Sequence, residues 1–146
     1  MNQRRLFVPL AVLALLSAAP FLAIGQPAAT VYKDPNCGCC KDYVRYLEDN
    51  GYRVTAIDTT DLDGIKRKHG VSPRLAACHT ILVDGYVVEG HVPVPVIEQL
   101  LRDRPDIRGI TLPGMPPGSP GMTGKKSAPF EIYTLDSWPP QLYTTH

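Results

Sequence analysis

Thr30-Val31-Tyr32-Lys33-Asp34-Pro35-Asn36-Cys37-Gly38-Cys39-Cys40 is the stretch whose reading decides the fold. Thr30 to Lys33 is a short strand, and Asp34-Pro35-Asn36 turns the chain. Three cysteines follow within four residues. A helix then runs from about Cys40 to Asn50, with Tyr43, Val44, Tyr46 and Leu47 as its apolar stripe and Gly51 as its stop. A strand, a cysteine turn and a helix in that order set the thiols at a helix N-terminus, which lowers thiol pKa. The remaining cysteine, Cys78, is followed at once by His79, and these four are every cysteine in the chain. Clustering of this kind reads as one soft-metal or redox site. Structural thiols or disulfides are the alternative, but no apolar periodicity calls for thiols at Cys37, Cys39 and Cys40.

Working outward, Tyr52 to Ile57 alternates as a second strand. Asp61 is placed to cap a short helix through Lys68, closed by Gly70. The acids Asp58, Asp61 and Asp63 around that helix start are better explained by capping than by catalysis. Ser72 to Ala77 is a loop. Thr80 to Val83 is a buried strand, Asp84-Gly85 a tight hairpin turn and Tyr86 to Glu89 the return strand. Pro93 or Pro95 opens a last helix through about Asp103. The order is β-α-β-α-β-β-α, an α/β single domain over 30–112 of thioredoxin-like succession. The first two strands are expected to run parallel with a right-handed crossover.

That topology brings a second loop to the cysteine turn. Thioredoxins carry a cis-proline just before the third strand, facing the two cysteines. Here the slot reads Ala77-Cys78-His79-Thr80, so a thiol and an imidazole replace a residue that offers no ligand. Cys78 is therefore expected to face Cys37 and Cys40. In thioredoxin-like folds the residue after the fourth strand borders the same surface, which brings in Gly90-His91; a plain loop histidine is the other reading of His91. His69 and His146 read as solvated.

From Gly109 the composition changes. Leu112 to Met122 holds four prolines and three glycines, an extended loop that cannot be helix or central strand. Residues 113–146 thus form a Pro/Gly/Met-rich extension, with an edge strand expected at 130–135 and a poorly ordered end from Ser137 to His146.

The N-terminus sets the compartment. Arg4 and Arg5 precede an apolar run from Leu6 to Ile24, and Ala23-Ile24-Gly25 fits a signal peptidase. Residues 1–25 are expected to be a secretory signal peptide cleaved before Gln26, leaving an exported protein. A retained anchor is the alternative, weakened by Ser17 and Pro20. A loose twin-arginine pattern leaves the export route open. Without Arg4 and Arg5, 13 basic residues stand against 14 acidic ones. Nothing there points to nucleic acid or an anionic membrane surface. In an oxidising compartment neighbouring thiols become disulfides unless a metal or a redox cycle keeps them in use.

Cys37 and Cys40 make a Cys-x-x-Cys pair, used alike by redox dithiols, zinc knuckles and metallochaperone loops. Cys39, Cys78 and His79 narrow the choice. Zinc is satisfied by four thiolates or by three plus histidine. Cu(I) is softer, accepts low coordination and sulfur bridging, and more than one could share four thiolates. Met115 and Met122 offer thioethers; ordinary loop methionine is the other reading. The metal candidates are Cys37, Cys39, Cys40, Cys78 and His79, with His91, Met115 and Met122 behind them. An enzyme remains the competing class, a thiol–disulfide or copper oxidoreductase in which Cys37 attacks and Cys40 resolves. Structural zinc comes third.

Asp34-Pro35-Asn36-Cys37-Gly38-Cys39-Cys40, Cys78-His79-Thr80, Val88-Glu89-Gly90-His91-Val92-Pro93 and Gly114-Met115-Pro116-Pro117-Gly118-Ser119-Pro120-Gly121-Met122 occur in this order. Together they resemble the CopG-like family of exported metal-binding proteins, often found with copper-resistance genes. The resemblance spans about Thr30 to Leu135. It implies a thioredoxin-like domain, a periplasmic location, copper binding through these cysteines, and work beside other periplasmic copper-export or copper-resistance proteins.

Overall fold

The computed structural model describes residues 25–136 and 138–146. The proposed signal peptide lies outside the described residues apart from Gly25. Among the described residues no helix is long and apolar enough to cross a membrane.

The expected succession is present. It comprises β1 (Ala28–Lys33), α1 (Gly38–Asp49), β2 (Arg53–Asp58), α2 (Leu62–Lys68), β3 (His79–Val83), β4 (Tyr86–Glu89) and α3 (Val94–Asp103). A single 3-10 turn, Pro73–Leu75, interrupts the loop before β3. β1 pairs with β2 in parallel and with β3 antiparallel; β3 and β4 form the hairpin. Asp84 and Gly85 both have positive φ, 47° and 87°, as a twist-matched two-residue hairpin turn requires. Asp61 caps α2 by accepting the Gly64 amide at 2.9 Å, and Asp58 pairs with Lys33.

Three expectations are corrected. α1 starts at Gly38, not Cys40, because the Cys37 sulfur itself takes the N-cap role and accepts the Cys40 amide at 3.3 Å. α3 does not end the fold; it is the crossover to β5 (Gly109–Thr111), which pairs with β4 in parallel. The strand expected at the edge is β6 (Glu131–Thr134), and β7 (Leu142–Thr145) in the supposedly loose tail covers it. The seven strands among the described residues form one sheet in the order β2-β1-β3-β4-β5-β6-β7.

Strand alternation gives the sheet two different faces. Ile81 and Val88 join α1 and α3 through Tyr43, Leu47, Ile97 and Leu100 in the main core. Their neighbours Leu82 and Val87 point the other way, into a small cluster with Val71, Leu75 and Leu135. His79 follows the parity of Ile81 and so lies under α1. Thr80 and Glu89, cross-strand partners, follow Leu82 and Val87 and lie on the face of α2.

Candidate metal centre

Three segments meet at one end of the sheet. The β1–α1 turn delivers Cys37, Cys39 and Cys40. The loop into β3 delivers Cys78 and His79. The segment after β4 delivers His91. The sulfurs of Cys37, Cys39, Cys40 and Cys78 all lie within 4.8 Å of one another. So do ligand atoms of Cys78, His79 and His91, which makes Cys78 a member of two ligand groups.

Cys37 and Cys40 are joined as a disulfide, with their Cα atoms 5.3 Å apart, while Cys39 and Cys78 are free thiols. The Cys39 sulfur stands 3.5 Å from Cys37 Sγ and 3.9 Å from Cys78 Sγ. Cys40 is fully buried, and its sulfur lies 3.6 Å from the Cys78 carbonyl oxygen. The N-terminal turn therefore reaches across to the β3 loop through Cys39 and Cys40, as the topology requires.

The histidines sit beneath the sulfurs. His91 Nδ1 is 2.6 Å from the Pro120 carbonyl, an oxygen that can only accept, so Nδ1 carries the proton. Nε2 then presents its lone pair to Cys78 Sγ at 2.8 Å. Burial pushes His91 below its ordinary pKa, partly opposed by the Pro120 carbonyl. The Cys78 thiol is pushed up to about 12 by burial, with Cys39 adding to it. Both groups are thus neutral near pH 7, and Cys78 donates its S–H to His91 Nε2.

His79 Nδ1 lies 3.3 Å from the same sulfur. Its Nε2 is buried without a hydrogen-bond partner. Burial holds its pKa well below the usual value, and His91 and Lys66 lower it further. Tyr43 packs on both rings, with centroids 4.5 Å from His79 and 5.4 Å from His91. It donates its hydroxyl to the Val92 carbonyl at 2.6 Å.

The chemistry of this donor set fits a soft metal ion. Two free thiols and two neutral imidazoles converge beside a disulfide whose reduction would add two more thiolates, and one imidazole is oriented by a backbone carbonyl through its other nitrogen, as metal-binding histidines are. The proline-rich loop contributes through its backbone. Gly121, at φ 78°, lies so close to α1 that a Cβ there would meet the Cys39 carbonyl oxygen and the Tyr43 nitrogen at 2.8 Å. Met122 next to it is half-buried, and Met115 is half exposed.

Sequence reasoning gives no site role to Lys66, nor to Thr80, Glu89 and Pro120, which stand in the quoted motifs only as neighbours of the candidate ligands. Lys66 looks like one of several basic residues on a short helix, and Pro120 acts only through its carbonyl. The Val88-Glu89-Gly90-His91 stretch was singled out, and a carboxylate in a run of buried valines was the available signal for Glu89.

One sheet with helices on both faces, carrying a thiol and imidazole cluster at its end, defines an α/β protein with a site able to hold metal. The family model described as a protein of unknown function, DUF411, matches residues 75–122. A solved structure of copper resistance protein CopG, Form 2, aligns at a TM-score of 0.75 and 38% identity, over 83% of this chain and 98% of that one. Form 1 aligns at 0.74 and 40% with the same coverage. No curated protein matches. The chain belongs to the family of copper resistance protein CopG.

Proposed function

We propose that this is a periplasmic copper-homeostasis protein that binds Cu(I) through Cys37, Cys39, Cys40 and Cys78, with His79 and His91 as nitrogen ligands. The observation that carries the reading is the position of Cys78 in both ligand groups. A thiolate common to a sulfur set and a sulfur–imidazole set is placed to bridge two soft ions, and Cu(I) accepts sulfur bridging and low coordination. The site would then be multinuclear. The similarity to copper resistance protein CopG supports copper as the cargo. The thioredoxin-like reading is supported by the strand order β2-β1-β3-β4 with β3 antiparallel to its neighbours. Met115 and Met122 offer thioethers on the loop beside the site. Ligation by Cys37 and Cys40 requires their disulfide to take up two electrons first.

The test is anaerobic loading of the reduced mature form with Cu(I), read by bound metal, thiol count and competition with a Cu(I) chelator. Tight binding lost in Cys78→Ser supports the reading. Recovery of stoichiometric zinc and no copper from copper-fed cells overturns it in favour of structural zinc.

The disulfide next to two free thiols favours a second reading, an oxidoreductase. The Cys37 and Cys40 dithiol would pass two electrons to two Cu(II), giving two Cu(I), two protons and the disulfide. Cys78→Ser separates the two readings. A carrier loses copper capacity, because hydroxyl is a poor ligand for a soft ion. A dithiol enzyme keeps much of its turnover, because the redox step uses only Cys37 and Cys40.

A further inference from the structure

Behind the metal centre, on the face of α2, a lysine and a glutamate are both removed from water. Glu89 is 0% exposed and Lys66 6%. Lys66 Nζ donates to Glu89 Oε1 at 2.5 Å and to Thr80 Oγ1 at 3.1 Å. Thr80 donates in turn to Glu89 Oε2 at 2.7 Å. The carboxylate has one more partner, the amide of Ala77, whose N–H reaches Oε1 at 2.7 Å. Ala77 directly precedes Cys78.

Nothing in the packing of a small domain calls for this cluster. A buried ion pair is often matched or bettered in stability by apolar side chains of the same size. The cluster also lies outside both ligand groups. What it does make is a closed ring joining α2, β3 and β4 to one amide of the loop that carries the shared sulfur. That loop is held from the other side by Gly90, where a Cβ would meet the Ala77 Cβ at 2.6 Å. Its earlier part is held by the Thr111 hydroxyl, which donates to the Leu75 carbonyl at 2.8 Å.

We propose that Glu89, held by Lys66 and Thr80, is a positioning residue of the metal centre: it fixes the Ala77 amide and thereby the place of the Cys78 sulfur opposite Cys39 and His91. The inference rests on the copper-binding reading above. Metal centres depend on groups behind their ligands, and loss of such a group typically costs about 10–100-fold in affinity.

Two double variants separate anchoring from charge. Lys66→Met with Glu89→Gln removes both charges but keeps an amide oxygen for the Ala77 N–H. Lys66→Met with Glu89→Leu removes the acceptor as well. Neither leaves an unpaired buried charge. Each reduced protein is titrated anaerobically with Cu(I) against a chelator, and the thiolate–Cu(I) ultraviolet band is recorded beside circular dichroism. The Gln variant is expected to keep the parental stoichiometry, midpoint and band. The Leu variant is expected to weaken at least about tenfold and shift its band while its fold is unchanged. A folded Leu variant with the parental midpoint and band overturns the proposal. Should that variant not fold, amide exchange on the parent decides: the Ala77 N–H should exchange as slowly as the amides of β3, and exchange at the rate of an open loop overturns the anchor. Failure of the parent itself to bind Cu(I) would sink the copper reading, and the exchange measurement would still decide the anchor.

Discussion

Lys66→Met tests the energetics of the ring behind the site. The substitution keeps length and apolar stem but removes the only cation bonded to Glu89 among the described residues. Glu89 then keeps the Ala77 amide and the Thr80 hydroxyl and has no compensating charge. Removing one partner of a buried pair costs about 3–5 kcal/mol. For a domain of this size that is a fall in Tm of roughly 10–20 °C. The loss should depend on pH in a defined direction. Burial already raises the Glu89 pKa above the ordinary carboxylate value, with Lys66 opposing that rise. Without Lys66 the folded value climbs further. A carboxyl whose folded pKa exceeds its unfolded value is most favourable to folding in acid. That contribution is lost as pH rises from the unfolded value, about 4.3, through the folded one. Lys66→Met is therefore expected to lie close to the parent near pH 4.5 and far below it at pH 7.5. Urea unfolding of the disulfide-intact, metal-free proteins at the two pH values measures this. Equal losses at both values, or a loss under about 1 kcal/mol at pH 7.5, would refute the reasoning that Glu89 is a charge held by Lys66.

Other outcomes follow from the same geometry. Denatured under non-reducing conditions, the described protein should titrate two thiols, and four after reduction, because Cys37 and Cys40 are joined and Cys39 and Cys78 are free. With its pKa pushed up to about 12, Cys78 should alkylate slowly at pH 8 in the metal-free protein and far faster by pH 10.5. Peptide mass spectrometry reads this, and a rate at pH 8 equal to that of a free peptide thiol would contradict it. Tyr43→Phe leaves the Val92 carbonyl without its buried donor and should cost about 1–3 kcal/mol in urea unfolding. Gly121→Ala meets a positive φ and a 2.8 Å approach to α1 together. It should lift the loop, move Pro120 from His91 and lower Cu(I) affinity, with parental chelator competition as the contrary result.

The first half of the fold was legible because its signals are local. Asp61 as the cap of a short helix closed by Gly70, Asp84-Gly85 between two buried strands and the stripe Tyr43, Leu47 each name their element without a partner. The cysteine turn was legible for the same reason: thiol spacing is read along the chain. β5 escaped because Gly109–Thr111 is three residues long, and its pairing with β4 depends on where α3 sets it down. β7 escaped because Leu142–Thr145 carries no buried face of its own and is a strand only by pairing with β6.

The sequence by itself determined the order β-α-β-α-β-β-α, the gathering of all four cysteines into two places, and the arrival of Cys78 and His79 opposite the cysteine turn. These follow from periodicity, turn chemistry and the handedness of crossovers. Only the tertiary structure decided which thiols are joined, which nitrogen of His91 faces Cys78, and that Lys66 and Glu89 are buried together behind the site. A lysine on a short helix and a glutamate at a strand end look like solvated charges until their surroundings are known. Their energies depend on dielectric and on partners 23 residues apart, and neither is encoded in local pattern.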